Sequence, residues 1–456
     1  MRVMRAESGT GPAPAAAARV AGGCAGLLAL IGLIACTPRV AVQPANPAAG
    51  AADTRPGAAA FSELDALARQ AATMKTPLAR YAFYRSQHEQ SHGPLRAFIA
   101  QVLAATEAEL GAYEQAVQQY PQGAPVLRGT PAALPDPARF EARDAADAIA
   151  GLARDRRILM VNEAHHAAQT RVLTLTLLPR LRALGFTHFA AEGLDERDRG
   201  LAERGYPTRA SGPYIDEPLY GEIIRSALRL GFVVVPYESA GADAQQREEG
   251  QAQHLVERVF RQRSDARLFV HAGYAHVHKR ADYLDSDTMA MRLARKLSID
   301  PLVVDQTVLR PGAPGREFGG YRALLQSYPI STATVFMTPD GSAAWSLEPH
   351  VYDISVLLPP SRLIGDRPDW LTLGGERSPV AIAIDLQAMS LPCVIEARHA
   401  NENEDAVPAD RLLIERGTGT AVLFLRGGDY RVEAVAATGR VITTQRLRVD
   451  APAPPH

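Results

Sequence analysis

A chain of 456 residues is long enough for two or three domains with substantial cores. Its 49 Lys and Arg residues are balanced by 50 Asp and Glu residues. The resulting formal net charge of -1 lacks the basic excess that nucleic-acid-binding surfaces require, so we expect no nucleic-acid partner.

The first 36 residues have the pattern of a secretory signal. Basic residues come first and an apolar run follows, with Arg2, Arg5 and Arg19 before Ala25 to Ala35. The run is shorter than the ~20 residues that cross a bilayer as a helix, and it ends at a small residue, as signal peptides do. Its last residues and the next, Leu33-Ile34-Ala35-Cys36, resemble the lipobox of bacterial lipoproteins, in which the cysteine becomes the lipidated N-terminus.

This resemblance implies that residues 1–36 are a lipoprotein signal peptide and that Cys36 carries lipid. Thr37 stands where some lipoproteins have an aspartate, and the absence of that aspartate implies transfer to the outer membrane. We therefore expect a cell-envelope protein, held on the outer membrane by its lipid and facing the periplasm or the surface. An ordinary signal peptide and an uncleaved anchor are the alternatives. Only Cys393 remains beyond the signal and the lipidated residue, so no intramolecular disulfide can form in the mature body.

Two segments precede the first predicted strand. Residues 37–60 are rich in Pro, Ala and Gly and predict a flexible tether. Residues 61–137 predict a helical segment with a linker, because apolar residues recur at helical spacing and Pro77 and Gly93-Pro94 divide them into three helices. The linker is the Pro- and Gly-rich stretch from Pro121 to Pro137.

Residues 138–375 alternate short apolar runs with amphipathic helices, starting with a predicted helix from Ala142 to Ala153. This alternation predicts a three-layer α/β/α domain, in which helices cover both faces of a mostly parallel sheet. The predicted strands are Ile158–Val161, Thr187–Ala191, Phe232–Val235, Leu268–Val270 and Leu302–Val304. The segment from Tyr352 to Pro359 predicts one more strand.

Ionisable residues follow four of these strands at their C-terminal ends. They are Glu163, His165 and His166 after the first strand, Glu192 after the second, Glu238 after the third, and His271 and His276 after the fourth. Right-handed crossovers bring the C-terminal ends of parallel strands to one edge, where ligands bind in open α/β sheets. One histidine in such a place is explained by backbone hydrogen bonding. So many ionisable groups at one edge favour a functional site, because buried charges are costly unless they are paired.

Residues 376–452 change character and predict a small antiparallel β-sandwich. Its strands are expected in the alternating runs Ala381–Ile384, Val394–Ala397, Ala421–Leu425 and Val441–Val449, with a break at Gly427-Gly428-Asp429. We expect this module to serve in packing or spacing.

The residues of the sheet edge support hydrolysis without a cofactor as a first interpretation. His165 would be a general base that activates water, while Glu163 or Glu192 holds the imidazole in one tautomer. His276 would serve as a second acid or base, and Arg247 would stabilise a developing oxyanion. This division fits hydrolysis because one group must accept a proton and another must return it.

Two cofactor-dependent interpretations remain beside it. In one, a divalent metal activates the nucleophilic water, and its candidate ligands are His165, His166, Glu192, Glu238 and His276. In the other, haem iron is bound by Tyr274 or His276. The chain has no Cys-x-x-Cys-His sequence, so covalently attached c-type haem is excluded.

The motifs of this region resemble those of the erythromycin esterase, ChaN and Tiki/TraB superfamily. The matching residues are Asn162-Glu163-Ala164-His165, Ala191-Glu192, Tyr237-Glu238-Ser239, Arg247 and Gly273-Tyr274-Ala275-His276-Val277. They lie between Arg157 and Lys279. Asn162 departs from the superfamily, which usually has Gly at that position. On this resemblance, the site residues that carry over are Glu163, His165, Glu192 and His276, together with Arg247 and Glu238.

The branches of the superfamily imply different activities. The esterase branch implies hydrolysis, the Tiki/TraB branch implies metal-dependent proteolysis, and the ChaN branch implies a lipoprotein that binds haem. We predict a hydrolase of an ester or amide that acts on a small-molecule or peptide substrate. The alternatives are a haem- or metal-binding uptake lipoprotein without catalysis, a metal-dependent peptidase, and an inactive scaffold.

Overall fold

The computed structural model describes residues 57–121, 127, 130–241, 243–281, 286–417 and 420–451. The predicted signal peptide, Cys36 and residues 37–56 of the predicted tether lie outside this range. A helix already begins at Gly57, so the predicted end of the tether at residue 60 is one helical turn too late. Within the described part of the chain, no helix is both long and apolar enough to cross a membrane.

The described residues of the helical segment form four helices, one more than the sequence predicted. They are α1 (Gly57–Ala72), α2 (Pro77–Gln90), α3 (Gly93–Glu109) and α4 (Tyr113–Gln119). The start of α2 is set by the Thr76 hydroxyl, which accepts a hydrogen bond from the backbone N–H of Ala79 at 3.0 Å. The turn into α4 depends on Gly111, whose φ is 76°. A Cβ at Gly111 would lie 2.0 Å from the carbonyl oxygen of Arg411, so glycine also permits close contact with the C-terminal module.

The next part of the chain forms an α/β domain. Its strands are β1 (Glu141–Asp144), β2 (Ile158–Glu163), β3 (His188–Ala191), β4 (Val233–Pro236), β5 (Leu268–Gly273), β6 (Leu302–Asp305), β7 (Thr334–Met337) and β8 (Ile354–Ser355). Six of them form a parallel sheet with the order β4-β3-β5-β2-β6-β8. The predicted mostly parallel sheet is therefore confirmed.

Helices cover both faces of this sheet. They are α5 (Ala145–Leu152), α6 (Thr170–Ala183), α7 (Leu201–Arg204), α8 (Pro218–Arg229), α9 (Ala244–Leu255), α10 (Met289–Leu297) and α11 (Tyr321–Ser327). Leu159 and Val161 of β2 pack in one core with α5, α6 and α8. Ile158 and Met160 point the other way and pack with α9 and α10. The three-layer α/β/α arrangement predicted from the sequence is confirmed.

The predicted strands of the parallel sheet differ from the observed ones by one to three residues at their ends, and two other predicted elements of this domain are wrong by more. The chain from Glu141 to Asp144 forms β1, which pairs antiparallel with β7, although a helix was predicted from Ala142. The helix α5 starts only after Asp144, whose carboxylate accepts a hydrogen bond from the backbone N–H of Asp147 at 3.1 Å. The predicted strand from Tyr352 to Pro359 shortens to the two residues of β8.

A hairpin and two packed antiparallel sheets complete the chain. The strands are β9 (Leu363–Ile364), β10 (Arg367–Pro368), β11 (Ser378–Ile382), β12 (Cys393–His399), β13 (Asp410–Ile414), β14 (Ala421–Leu425), β15 (Gly428–Ala436) and β16 (Val441–Val449). One sheet pairs β11 with β14, and the other has the order β13-β12-β15-β16. A common apolar core lies between them, so the predicted β-sandwich is confirmed. The sequence missed β13 and β15, and the predicted break at Gly427-Gly428-Asp429 is the start of β15.

Arg411 of β13 joins the three parts of the molecule. Its guanidinium is completely buried and donates hydrogen bonds to the Glu396 carboxylate at 2.6 Å and to the backbone oxygen of Glu109 at 2.8 Å. It also donates to the Asp216 carboxylate of the α/β domain at 3.1 Å. One buried cation therefore contacts the helical segment, the β-module and the α/β domain, and burial without such partners would be costly.

Candidate active site

Parallel pairing brings the ends of β2, β3 and β5 side by side. In the sheet register, Glu163 lies opposite Gly273, and Ala191 lies opposite His271. Glu192 follows Ala191 directly, and its backbone N–H donates to the carbonyl oxygen of His271 at 3.0 Å. The expected convergence of strand ends at one edge of the sheet is therefore present in the structure.

Glu163 is an ionised carboxylate in the interior of the protein. Its Oε2 accepts a hydrogen bond from Arg171 Nε at 2.6 Å, and Arg171 Nη1 lies 3.0 Å from Glu217 Oε2. Burial alone would favour the protonated acid, but Arg171 and His165 outweigh it and hold the pKa of Glu163 well below its usual value. A negative charge is therefore fixed at the end of β2.

This charge defines the tautomer of His165. Nδ1 of His165 lies 2.7 Å from Glu163 Oε1, and an ionised carboxylate can only accept, so Nδ1 carries the hydrogen. Nε2 then has a free lone pair, and no hydrogen-bond partner for it lies among the described residues although it is buried. A Cβ at Gly273 would lie 2.4 Å from this Nε2, so glycine at 273 permits the close approach of the ring to the backbone of β5.

Two tyrosines hold the imidazole plane of His165. The ring of Tyr214 stacks on it with a centroid distance of 4.1 Å and an interplanar angle of 7°. The ring of Tyr274 meets it edge-on at 5.5 Å and 82°. Both tyrosines have positive φ, 63° for Tyr214 and 39° for Tyr274, which is uncommon and costly for residues other than glycine. The protein bears this backbone strain on both sides of one imidazole, which is typical of a functional site.

A second cluster of charged side chains is centred on Glu192. The Glu192 carboxylate accepts a hydrogen bond from the backbone N–H of Gly273 and another from Arg247 Nη2 at 3.1 Å. Arg247 also donates to both oxygens of Glu238, at 2.9 and 2.8 Å. A Cβ at Gly273 would lie 2.8 Å from Glu192 Oε2, so Glu192 and the free nitrogen of His165 face the same point. Burial opposes ionisation of Glu192, but His276, His165 and Arg247 together lower its pKa far below the usual value.

His276 belongs to this second group and has partners at both ring nitrogens. Arg247 Nη1 lies 3.0 Å from Nε2, and an arginine can only donate, so Nε2 accepts. Nδ1 lies 2.5 Å from Glu248 Oε1 on the opposite side of the ring. The predicted site residue His276 therefore lies within the cluster, but its ring faces Arg247 and Glu248.

His166 and Tyr274 form a separate contact beside His165. His166 Nδ1 lies 2.8 Å from the Tyr274 hydroxyl, and Nε2 accepts from Arg310 Nη2 at 2.9 Å. Tyr120 of the helical segment stacks on the His166 ring at 3.5 Å. Burial and the charge of Arg310 lower the pKa of His166 well below its usual value, so this imidazole is neutral.

The residues predicted for haem do not fit an axial ligand. Burial, together with Tyr120, raises the pKa of Tyr274 well above its usual value, whereas an axial tyrosine binds iron as the phenolate. The Tyr274 hydroxyl is bound to His166, and both nitrogens of His276 face other side chains.

The residues predicted for a divalent metal do not fit either. The guanidinium of Arg247 occupies the centre between Glu192, Glu238 and His276, where a cation would have to lie. Among the described residues, no group of three or more His, Cys, Asp or Glu side chains is arranged to hold a metal ion.

A cavity of about 630 Å³ reaches His165 and Arg171. It lies between the helical segment and residues 195–217 of the α/β domain. The helical side presents mostly apolar residues, Ala68, Ala71, Ala72, Pro77, Tyr84, Val102 and Ala105, together with Lys75, Arg80, Thr106 and Glu109. The opposite side presents Asp195, Arg197, Asp198, Arg209, Ala210, Gly212, Pro213, Tyr214, Asp216 and Glu217. Glu192, Glu238 and His276 do not belong to its described lining. The cavity therefore singles out His165 among the predicted site residues.

Sequence reasoning missed four residues of this site: Arg171, Tyr214, Glu217 and Glu248. The sequence pattern could have revealed Arg171, because this residue lies at helical spacing with Thr174 and Leu178 on the buried face of α6. A charged residue on a buried face needs a partner. Glu217 had a weaker signal as the residue before Pro218, the common position of a helix cap. Tyr214 and Glu248 had none, because their contacts with the histidines depend on distant parts of the chain.

Comparison with known proteins identifies neither a family nor an activity for this chain. No protein-family model matches the chain, and no curated protein matches it. Among solved structures, the chain matches one described as the structure of the type III effector HopBA1, with a TM-score of 0.31 and 12% sequence identity. That match covers 51% of this chain and 99% of the other. Similarity at this level supports neither a family nor an activity for this chain.

Proposed function

We propose that this protein hydrolyses an ester or amide, with His165 as the general base. One observation carries this proposal: His165 has one nitrogen held by an ionised Glu163 and the other buried without a partner among the described residues, and the residue itself lines a cavity. A general base needs this arrangement, because the carboxylate fixes the tautomer and the opposite nitrogen must keep a lone pair for the proton.

The reaction follows from this tautomer. Nε2 of His165 removes a proton from water while the water oxygen forms a bond to the carbonyl carbon of the substrate. The imidazolium that results is stabilised by Glu163, and Arg171 keeps Glu163 ionised throughout. The bond from the carbonyl carbon to the leaving oxygen or nitrogen then breaks, and the leaving group takes the proton back from Nε2.

In this proposal, the second cluster of charged side chains positions Glu192 relative to His165. Arg247 was expected from the sequence to stabilise an oxyanion, but it already contacts Glu192, Glu238 and His276. We assign it to hold Glu192, whose carboxylate faces the same point as the free nitrogen of His165. His276 and Glu248 support Arg247 from the other side.

Membership of the superfamily and the location at the outer membrane are proposals that rest on the sequence. The motifs after β2, β3, β4 and β5 support a relationship with the erythromycin esterase, ChaN and Tiki/TraB superfamily, and its esterase branch agrees with the proposed chemistry. The lipobox-like sequence before Thr37 supports anchoring of the protein to the outer membrane through Cys36. Incorporation of labelled palmitate into the wild-type chain but not into Cys36→Ser, followed by membrane fractionation, tests this anchoring.

A panel of esters and amides, assayed with and without EDTA, tests the hydrolysis. We expect turnover by the wild-type protein with and without the chelator, and loss of turnover in His165→Ala. His188→Ala is the matched control, because His188 is also buried but lies at the start of β3, the opposite edge of the sheet. Equal turnover by folded His165→Ala and by the wild type would contradict the proposal.

A further inference from the structure

We infer that the helical segment forms the more apolar half of the substrate site, and that Ala72 and Ala105 determine how large an apolar group fits in the cavity that His165 lines. The substrate is then a small amphipathic molecule. This inference rests on the proposed function for its catalytic part, but its binding part can be tested separately.

The two walls of the cavity differ in chemistry. The helical wall carries five small apolar side chains of α1 and α3, namely Ala68, Ala71, Ala72, Val102 and Ala105. Its polar members are Lys75, Thr106 and the ion pair of Arg80 with Glu109 at 2.5 Å. An apolar group placed on the five small side chains leaves water, which is favourable by about 25 cal/mol for each Å² of apolar surface. The helical segment thus supplies the more apolar of the two walls.

The opposite wall is polar, and its charges are already paired. Asp195 accepts from Arg197 at 2.9 Å, Asp198 accepts from Arg204 at 2.7 Å, and Asp216 accepts from Arg411 at 3.1 Å. A ligand that brings its own charge would have to compete with these pairs. A polar group without net charge can add hydrogen bonds to them, so this wall favours a neutral polar face on the substrate.

The size of the cavity distinguishes the two substrate classes that the sequence left open. A volume of about 630 Å³ lies within the range of pockets that enclose small molecules. His165 is only 1% exposed and lines this cavity, so a substrate must enter the cavity to reach it. These two facts favour a small molecule over a folded protein or a long peptide.

Two alanines are suited to test the apolar wall. Ala105 of α3 is half-buried and Ala72 of α1 is exposed, and both line the cavity. The core contacts of these helices are made by other residues, including Leu64 and Leu103. A phenylalanine at either position therefore reduces the cavity without replacing a core side chain.

The catalytic experiment compares p-nitrophenyl acetate with p-nitrophenyl decanoate. We expect Ala105→Phe and Ala72→Phe to lower the ratio of kcat/KM for decanoate over acetate by at least about tenfold, the scale on which an apolar pocket discriminates group size. Ala66→Phe is the control, since Ala66 is an exposed residue of α1 outside the cavity lining, and it should leave the ratio unchanged. An unchanged ratio in both cavity variants would overturn the inference.

A binding experiment separates this inference from the proposed hydrolysis. Equilibrium binding of the neutral amphiphile N-phenyl-1-naphthylamine, followed by its fluorescence, needs no turnover. We expect the wild type, His165→Ala and Ala66→Phe to bind it, and Ala105→Phe and Ala72→Phe to bind at least about tenfold more weakly. Should esters not be hydrolysed while this pattern holds, the inference stands and the proposed function fails. Absence of binding by the wild type, or equal binding by all variants, overturns the inference.

Discussion

The loops after β2 and β5 each carry a buried histidine at the same edge of one sheet, but the two imidazoles have different surroundings. His165 is held by one carboxylate and keeps a buried nitrogen beside Gly273 without a hydrogen-bond partner among the described residues. His276 lies between Arg247 and Glu248, with a contact at each nitrogen. The comparison teaches that convergence at a sheet edge does not assign a role, because the partners of each ring nitrogen decide whether a histidine can exchange a proton.

The largest expected effect comes from removing the open imidazole. His165→Ala should lower kcat by about 10²–10⁴-fold, the usual contribution of a general base. The fold should survive, because Glu163 keeps its contact with Arg171. Steady-state kinetics measures the loss of kcat, and circular dichroism checks the fold. If His165→Ala lost less kcat than His276→Ala, His276 and not His165 would be the more important imidazole.

The carboxylate behind His165 should matter for stability. Glu163→Gln removes a buried charge that faces Arg171, so the free energy of unfolding at neutral pH should fall by about 3–5 kcal/mol. The pKa of Glu163 is lowered in the folded protein, so its stabilisation is present above the ordinary glutamate pKa and is lost as the pH falls through the lowered value.

Urea unfolding of both proteins at several pH values measures this difference. We expect the gap between wild type and Glu163→Gln to be constant from about pH 5 to pH 8 and to narrow only in stronger acid. A gap that grows toward acid would contradict the assigned charge state. Glu63→Gln, at an exposed position of α1, is the control and should show no gap.

A smaller effect is expected at the other imidazole. His276→Gln should lower kcat/KM by about tenfold, because Arg247 loses support and Glu192 shifts relative to His165. The pH at which kcat/KM falls on the acid side should stay unchanged, since His165 remains the base. A pH–rate profile of this variant checks both points, and a shifted acid limb would show that His276 itself exchanges the proton.

The smaller of the two expected effects on stability concerns Glu107 of the helical segment, a buried carboxylate without a cation at hydrogen-bond distance among the described residues. Its Oε1 accepts from Gln115 at 2.8 Å, and burial raises its pKa to about 7. A raised carboxyl pKa gives stability below the unfolded value, near 4.5, that is lost as the pH rises through about 7.

Glu107→Gln removes this pH dependence. The variant should equal the wild type near pH 4 and be more stable by about 1–3 kcal/mol near pH 8, which thermal unfolding at the two pH values measures. A less stable variant at alkaline pH would show that Glu107 is ionised and paired in the folded protein, as Glu163 is.

Local patterns explain which parts of the fold were predictable. The strands β2, β3, β5 and β6 of the central sheet were found because each is a short apolar run buried on both faces, and the edge strand β4 was found as an apolar run although it is partly exposed. The strand β15 was missed because Asp429, Arg431 and Glu433 alternate with its buried residues and resemble loop residues in the sequence. The strand β1 was missed because its partner β7 lies almost two hundred positions later in the chain, and its own residues are mostly exposed.

The sequence by itself determined the three-layer domain and the set of ionisable residues at its edge, since periodicity and strand ends are local properties. Only the tertiary structure decided which histidine nitrogen lacks a partner, that Arg171 stabilises the charge of Glu163 while also pairing with Glu217, and that the helical segment and His165 line one cavity. These features depend on contacts between residues far apart in the chain. The free energy of burying a charge or of leaving a space is set by all the neighbours together, and no short stretch of sequence contains them.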